Sequence, residues 1–448
     1  MKRSTTVGSR GTRLWVALAA GSLIIAACGG DDGGSTSDEP AETAAPAESE
    51  APADSAAPAD SAAPADSAAP ADELGPPTGP EMVVGMVNTE GGAGLDFPDI
   101  RRFVEAAVEY TNEHGGLGNR PVKLETCVAN GSPETSQACA QELVGKNVEL
   151  VLLGLDLFPD YKTYEAAGIP IIGVLPILPI DYTANALFLT GGNATSQAAI
   201  AAVAKEYFSA TKVSIIHADN AGANSTAASL EAALDKAGIA WEAVKGGDNE
   251  TDAGYQGLVR EAASSEPDVI VSLYADAGCI GTIRGRASLG ITIPVITTNI
   301  CADKDVIDVV GDEATGWMFA GLPEEKDTPE RALLKKLLAP VMGISEDEVT
   351  AAGLGLGGLG YSLYMSLIDY GNLMVEQGIE MTGASLYDFV KNGEGLFFFG
   401  GVTPLDCGAS AAYPAVCSFV FPFAEYKGDG VVGPVEDLGL VDSLPYLP

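Results

Sequence analysis

MVVGMVNTEGGAGLDFPDIRRFVEAAVEYTNEHGG, residues 82–116, is the stretch that decides the fold. Residues 82–87 are a continuous apolar run, typical of a strand in a parallel sheet that is covered on both faces. A glycine-rich loop follows, and Pro98 suits the first turn of a helix. Two glycines after His114 end that helix. Its buried face is predicted from the spacing of Ile100, Phe103, Val104, Ala107 and Val108.

The same alternation of strand and helix continues along the chain and predicts the fold class. Because it alternates so regularly, we expect α/β architecture with doubly wound parallel sheets. There are too many strands for one compact sheet, so we predict two lobes that divide near Gly191-Gly192, with a ligand cleft between them. Further strands are predicted at 122–128, 148–155, 169–175, 213–219, 240–244, 268–275 and 294–298, and a long helix at about 357–377.

The carboxyl ends of these strands are where an open α/β sheet binds its ligand. The glycines at 91–94 either cradle an anion at the start of the first helix or form only a tight turn, and the sequence leaves both open. The candidate ligand-binding residues at the strand ends are Asn88, Glu90, Gly91, Gly154, Leu155, Asp156, Leu175, Pro176, Asp219, Tyr274, Asp276 and Asn299.

The first 27 residues predict an export signal. Basic residues without any acid precede an apolar run at 14–27, which is shorter than the roughly 20 residues that span a bilayer. The run ends in Ile25-Ala26-Ala27-Cys28, which resembles the bacterial lipobox. We therefore expect Cys28 to be acylated and to anchor the chain at the extracytoplasmic face of the cell membrane. The alternative is an ordinary signal that happens to contain a cysteine.

Residues 28–80 predict a disordered spacer. They contain almost no large apolar side chains, and the hexamer AAPADS recurs in register over 51–72. Burial therefore cannot offset the chain entropy that folding would cost. We expect a spacer that holds the folded part away from the membrane, with a cell-wall ligand as the alternative.

Charge and histidine content exclude several classes of function. The formal net charge of −38 argues against a nucleic-acid partner, which needs clustered Lys and Arg. Only two histidines are present, and neither G-x-S-x-G nor H-E-x-x-H occurs. We therefore expect no enzyme activity, no metal and no cofactor.

Six cysteines besides Cys28 suggest disulfide bonds, because an even number in an exported chain is typical of them. Many pairings are possible, and the spacing favours three local ones. A zinc site is the alternative, but no C-x-x-C pair exists and no histidine is near a cysteine in the sequence. The favoured pairs are Cys127 with Cys139, Cys279 with Cys301, and Cys407 with Cys417.

Two local patterns resemble known sites but are interpreted differently. Gly355-x-Gly357-x-x-Gly360 fits the dinucleotide fingerprint literally, but no strand precedes it, so we predict close helix packing instead. Asp248, Glu250 and Asp252 are spaced like calcium ligands. The rest of the calcium loop is missing, which favours a solvated acidic turn.

Three segments together resemble one family: GMVNTEGGAGLD at 85–96, EYTNEHGGLGNRPVKLETCVANGSPETSQACAQEL at 109–143, and SIIHADNAGANSTAASLEAALDKAGI at 214–239. They resemble type I periplasmic binding proteins, and specifically the leucine/isoleucine/valine-binding (Liv-type) solute receptors of ABC importers. The resemblance covers about residues 81–448. It implies two discontinuous lobes joined by three chain crossings, which we expect at 81–193 with 322–392 and at 194–321 with 393–448.

The resemblance also implies how the first lobe would hold the carboxylate of an amino-acid ligand. In such proteins backbone amides and hydroxyl groups bind it. Gly154, Leu155 and Asp156 match the loop that offers the amides. Leu175 and Pro176 stand where a hydroxyl-bearing residue is usual, which is a departure from the family.

For the second lobe, the resemblance implies an aromatic contact and an acidic partner for the ligand ammonium. Tyr274 and Asp276 match the loop with the aromatic residue. Asn299 stands about where the acid is expected, so Asp276 or Asp219 would have to replace it. The implied cargo is a branched-chain amino acid or a related amide or carboxylate.

The function implied by the resemblance is capture of a small solute by hinge closure and its delivery to the membrane permease of an ABC importer. We expect a monomer without nucleic-acid partners, bound to the membrane only through Cys28. Two alternatives remain: a solute-sensing receptor domain that acts with a signalling partner, and a lipid-anchored hydrolase.

Overall fold

A computed structural model describes residues 74–92, 96–247, 249–275, 277–322, 327–399 and 403–448. The predicted signal, Cys28 and the spacer up to residue 73 lie outside these residues, as do Asp248 and Asp276.

Residues 74–80, which the prediction assigned to the spacer, contact the folded body. Thr78 N donates to Asn119 Oδ1 at 3.0 Å, and Gly79 N donates to Asn119 O at 2.8 Å. Gly115 N donates to Gly75 O at 2.9 Å. The turn at the end of the first helix therefore holds residues 74–80 against the folded body, because it supplies partners for their backbone groups.

The first sheet is entirely parallel and has the strand order β2-β1-β3-β4-β5. The apolar run at residues 82–87 forms β1, which lies between two partner strands and is buried at almost every residue. The strands are β1 (Met82–Thr89), β2 (Val122–Ala129), β3 (Leu150–Leu153), β4 (Ile171–Gly173) and β5 (Leu187–Phe188), and the helices between them are α1 (Pro98–Thr111), α2 (Pro133–Gly145) and α3 (Tyr161–Ala167).

A second βα series follows the first sheet. Val203–Tyr207 continues the helix Gly192–Ala202 as a π-helix. The strands are β6 (Lys212–Ala218), β7 (Ala240–Gly246), β8 (Val269–Leu273), β9 (Val295–Thr298) and β10 (Trp317–Ala320). The helices are α4 (Gly192–Ala202), α5 (Ala221–Ala237), α6 (Asp252–Ser264), α7 (Ala277–Ser288) and α8 (Lys304–Val310).

The remaining chain adds helices to the first lobe and strands to the second. The helices are α9 (Pro329–Met342), α10 (Ala351–Glu376) and α11 (Gly383–Asn392). The strands are β11 (Phe397–Phe398), β12 (Thr403–Pro404), β13 (Val420–Phe421), β14 (Phe423–Gly428), β15 (Val431–Pro434) and β16 (Val441–Asp442). The second sheet has the order β15-β14-β10-β9-β8-β6-β7, and β14 and β15 run antiparallel at its edge.

Helix α10 packs against α1 through glycines, as the sequence predicted. A Cβ atom at Gly357 would lie 2.7 Å from Phe103 Cε2, and one at Gly360 would lie 2.7 Å from Ile100 O. Gly355 interrupts α10 with φ 50°. The glycine spacing therefore serves helix packing.

The main core of the first lobe joins its sheet to the later helices. Buried side chains of β1 and α1 pack with those of α9, α10 and α11. Leu396, Phe398 and Leu405 also belong to this core, beyond the predicted limit at residue 392. The other lobe limits stay predictions.

The predicted disulfide pairing is the one that the structure shows: Cys127–Cys139, Cys279–Cys301 and Cys407–Cys417. Within the part of the chain that is described, no helix combines the length and the apolar character needed to cross a membrane.

Candidate ligand cleft

Asn88, at the end of β1, holds together the segments at the carboxyl edge of the first-lobe sheet. Its side chain is fully buried, and its Nδ2 group donates to Phe97 O at 2.7 Å. Its Oδ1 atom accepts a hydrogen bond from Leu155 N at 3.1 Å. Asn88 therefore ties β1, the start of α1 and the loop after β3 together.

Glu90 forms a bidentate ion pair with Arg101 of α1. Arg101 Nε lies 2.7 Å from Glu90 Oε1, and Arg101 Nη2 lies 2.9 Å from Glu90 Oε2. This hydrogen-bonded pair, together with Glu105, raises the pKa of the Arg101 guanidinium. The neighbouring Gly91 N donates to Asp96 Oδ1 at 2.9 Å. The charge of Glu90 is therefore already compensated.

The amides of Gly154 and Leu155 already have partners within the protein. Gly154 N donates to Val87 O at 2.9 Å, and Leu155 N donates to Asn88 Oδ1. A Cβ atom at Gly154 would lie 2.7 Å from Asn88 Oδ1, so this close approach needs glycine. Neither amide remains for a ligand carboxylate in this arrangement.

Asp156 is a buried carboxylate, with 3% of its surface exposed. Its Oδ1 atom accepts hydrogen bonds from Ser136 Oγ at 2.6 Å and from Phe158 N at 3.0 Å. Removal from water raises the pKa of Asp156, and these two hydrogen bonds oppose that rise without cancelling it. Asp156 therefore places an acid where the family resemblance implied a carboxylate receptor.

A second buried acid, Asp181, holds the loop after β4. Its Oδ2 atom accepts hydrogen bonds from Ile177 N at 2.8 Å and Leu178 N at 2.7 Å. Its Oδ1 atom accepts one from Tyr161 Oη at 2.6 Å. Burial and the charge of Asp181 raise the pKa of the Tyr161 phenol, so it remains a donor.

Leu175 and Pro176 contribute packing at the lobe crossing. Leu175 packs against the first core. Pro176 is buried next to Gly192, where a Cβ atom would lie 2.2 Å from Pro176 O. Gly192 has φ 65°, so both its conformation and the limited space require glycine. Neither candidate supplies a hydroxyl group.

The second lobe has a cavity of about 430 Å³ at the ends of β6, β8 and β9. All of its lining residues lie between residues 218 and 300, so none comes from the first-lobe group. They carry uncharged side chains and are Ala218, Asn220, Ala223, Thr226, Asn249, Leu273, Tyr274, Ala275, Ala277, Thr298 and Ile300.

Tyr274 forms one wall of this cavity and also packs in a buried core of the second lobe. It is 4% exposed, and its ring meets Tyr255 edge-on at a centroid distance of 5.6 Å. Its hydroxyl donates to Gly247 O at 3.3 Å. Tyr274 can therefore offer a ligand its ring more readily than its hydroxyl.

Asp219 and Asn299 are chain neighbours of lining residues and do not line the cavity themselves. Asp219 is exposed, and its Oδ1 atom accepts a hydrogen bond from Asn224 Nδ2 at 3.1 Å. Asn299 is exposed as well. Asp276 lies outside the described residues.

The structure thus brings the candidates together in two groups, one at the edge of each sheet. Sequence reasoning missed the lining residues Asn220, which caps α5, and Thr226, which lies in the second turn of that helix. It also missed Ser136 and Asp181, which are distant in sequence from Asp156. Among the described residues, no three His, Cys, Asp or Glu side chains form a metal-binding group.

The sequence and the fold match one known family. The sequence profile of the periplasmic binding proteins matches residues 81–353, more than half of the chain. The chain belongs to the periplasmic binding protein family. The predictions of a type I, Liv-type binding protein and of its α/β fold are confirmed. This periplasmic binding protein is a solute-binding protein of the ABC transport type.

Three relatives of this periplasmic binding protein are informative. Leu/Ile/Val-binding protein homolog 3 of Brucella melitensis is 24% identical over 269 residues, which cover 56% of this chain and 69% of that protein. A branched-chain amino acid transporter substrate-binding protein from Streptococcus pneumoniae, in complex with isoleucine, is 14% identical with TM-score 0.56, covering 81% of this chain and 99% of that chain. A solute-binding protein from R. palustris, in complex with 4-hydroxybenzoate, is 16% identical with TM-score 0.56, covering 81% and 97%. At such identities the two structures show the shared fold.

Proposed function

We propose that this periplasmic binding protein captures a small solute between its two lobes by hinge closure and delivers it to the permease subunits of an ABC importer. It works as a monomer at the extracytoplasmic face of the cell membrane. It performs no chemistry on its cargo and uses no cofactor or nucleic acid. The proposed cargo is a branched-chain amino acid or a related amide or carboxylate.

One observation carries the proposal: a chain of the periplasmic binding protein family has candidate ligand-binding residues at the strand ends of both lobes. Polar residues follow β1 and β3 in the first lobe, and an uncharged cavity of about 430 Å³ follows β6, β8 and β9 in the second. That volume falls in the range of roughly 300 to 1,000 Å³ common for small-molecule sites. A solute that contacts both groups favours the closed arrangement, because only there does it gain both sets of contacts.

The class of cargo is proposed from the relatives. One structural neighbour holds isoleucine and another holds 4-hydroxybenzoate, so the same fold takes both aliphatic and aromatic solutes. In the present chain, Ile300 and the ring of Tyr274 offer apolar surface to the aliphatic or aromatic part of a solute. Thr298 and Asn249 offer hydrogen bonds.

Attachment to the membrane is proposed from the sequence around Cys28. Replacing Cys28 with serine should move the protein from the membrane fraction to the soluble fraction. It should also abolish incorporation of an alkyne-labelled fatty acid. A Cys28→Ser variant that stays in the membrane fraction and remains labelled would exclude this anchor.

Capture is tested by native mass spectrometry of the protein extracted from its own membranes. We expect a bound small solute that is recovered unmodified. Adding that solute to the stripped protein should raise its melting temperature. Conversion of the solute into a product during incubation would refute a pure binding function.

The second-lobe site is tested by Thr298→Val, which removes a hydroxyl group from the cavity at nearly constant volume. We expect weaker binding of the recovered solute, by about five- to tenfold, the typical effect of one lost hydrogen bond. Thr211→Val is the matched control, because Thr211 lies at the opposite end of the same sheet. Equal affinities of both variants would place the solute elsewhere.

A further inference from the structure

The backbone amides at the first-lobe edge are largely committed within the protein. Gly154 N and Leu155 N donate to Val87 O and Asn88 Oδ1. In the loop after β4, the amides of Ile177 and Leu178 both donate to Asp181. An anion approaching this edge would have to displace these hydrogen bonds.

Asp156 gives the same edge a hydrogen-bond acceptor. Both of its hydrogen bonds, from Ser136 Oγ and Phe158 N, are made by Oδ1. No described residue donates to its other oxygen, Oδ2. Oδ2 is not among the fully buried atoms that lack a partner, so it is the oxygen of Asp156 that a ligand can reach, and a ligand that donates to it forms a charge-assisted hydrogen bond.

Tyr164 places a buried polar group without a partner near Asp156. Its side chain is 1% exposed, and its hydroxyl has no partner among the described residues. Burial raises the pKa of Tyr164, and the charges of Asp156 and Asp160 raise it further. The phenol therefore stays protonated close to a negative charge.

From this pattern we propose that Asp156 is the specificity-determining residue of the first lobe, and that it selects a cargo group that donates hydrogen bonds. Such a group is a primary amide or an amine; a free carboxylate is rejected there. The inference rests on the proposed capture function and narrows its cargo from acids to their amides or amines. The uncharged second-lobe cavity then takes the rest of the solute.

The test compares carboxylic acids with their primary amides on one carbon skeleton. We would measure dissociation constants by calorimetry for pairs whose acid carries no other hydrogen-bond donor: 3-methylpentanoate against 3-methylpentanamide, and benzoate against benzamide. We expect the amide of at least one pair to bind at least tenfold more tightly than its acid. Acids that bind as tightly as their amides, or no binding of either amide, would overturn the proposal.

Asp156→Asn is the decisive variant, because it retains an oxygen acceptor for Ser136 and Phe158 and removes the negative charge. It should lower the preference for the amide over the acid at least tenfold. Asp160→Asn is the matched control: it removes a charge from the same loop, where Asp160 caps α3, and should leave the preference unchanged. An unchanged preference in Asp156→Asn would also overturn the proposal.

Different results would refute the proposal of solute capture and the proposal that Asp156 selects a hydrogen-bond donor. A carboxylate that is recovered by native mass spectrometry and is bound with its acid group at the first lobe would refute selection of a donor by Asp156, but it would agree with solute capture. A protein that carries no solute from its own membranes and is stabilised by none would refute capture, and donor selection with it.

Discussion

The burial of Asp156 has a consequence for stability. Burial raises the pKa of its carboxyl group, so the folded state holds this proton more tightly than the unfolded state does. The unfolded group titrates near about 3.9. As the pH rises from there to the higher folded-state pKa, the unfolded state loses its proton first, and stability falls.

Asp156→Asn should remove this pH dependence. We expect the variant to have a higher free energy of unfolding than the wild type at neutral pH, with the difference vanishing below about pH 3.9, where the carboxyl group is protonated in both states. Urea unfolding of both proteins between pH 3 and pH 7 measures this difference in the free energy of unfolding. A difference that stays constant over that range would show that Asp156 does not titrate as described.

Gly192 combines a left-handed backbone with a close approach to Pro176 O. Gly192→Ala should lower the free energy of unfolding by about 2 to 4 kcal/mol, because it adds a collision to the strain of its φ angle. The control is Gly168→Ala, which has φ 68° and open space around the new Cβ, and should lose only about 1 kcal/mol. Thermal or urea unfolding compares them. Equal losses would mean that the Pro176 contact is unimportant.

At the residue scale, the sequence predicted the location of the candidates but not their roles. A strand end can be read from an apolar run, and this led to Asn88 and Asp156. The partners Ser136 and Leu155 come from other elements, so nothing local in the sequence shows that Asn88 uses its amide internally. The use of the Gly154 amide by Val87 O is likewise a tertiary contact.

At the element scale, the packing of α10 on α1 depends on glycines at defined positions. Gly360→Ala should destabilise the protein by about 2 kcal/mol, because its Cβ would lie 2.7 Å from Ile100 O. Gly353→Ala, on the same helix, meets only Thr350 Oγ1 at 3.1 Å. That control should be neutral or stabilising by up to about 1 kcal/mol, because alanine favours helix.

Unfolding midpoints of the two variants in guanidinium chloride would test this interpretation. If Gly360→Ala is as stable as Gly353→Ala, then the helices can separate at no cost, and close packing is not what the glycines are for.

Most strands of the βα series were predicted, whereas β10, β14 and β15 were not. Strands β1, β2, β6 and β8 follow runs that the sequence shows directly. Strand β10 is a four-residue strand that the sequence did not predict. Strands β14 and β15 lie in a tail that the sequence suggested was rich in loops, because edge strands carry a mixture of buried and exposed residues.

At the scale of the whole molecule, the strong negative charge should oppose folding. With a formal net charge of −38, mutual repulsion is greatest in the compact state, and salt screens it. We expect the melting temperature of the solute-free protein to rise between 20 and 500 mM sodium chloride at neutral pH. At a pH low enough to protonate most carboxylates, the increase should shrink. A melting temperature that falls with salt at neutral pH would indicate that attractive ion pairs dominate.

The division into two lobes was expected from the number of strands, but the path of the chain between them was not fully readable. Leu396, Phe398 and Leu405 join the first core late in the chain, after α11. Phe188 N donates to Ala415 O, which attaches the returning chain to β5. Where these C-terminal segments pack depends on which surfaces of the two sheets remain uncovered after the sheets have formed. A local sequence pattern does not show which surfaces those are.

The antiparallel pair β14–β15 also determines when the protein can finish folding. β10 ends at Ala320, and the strand that covers its open side begins only at Phe423. As the exported chain emerges from the membrane, about a hundred further residues must follow before that edge is protected. Meanwhile a fully buried four-residue strand presents unpaired backbone groups that can recruit another incompletely folded chain. A chain whose export halts in this interval would therefore be an aggregation-prone intermediate.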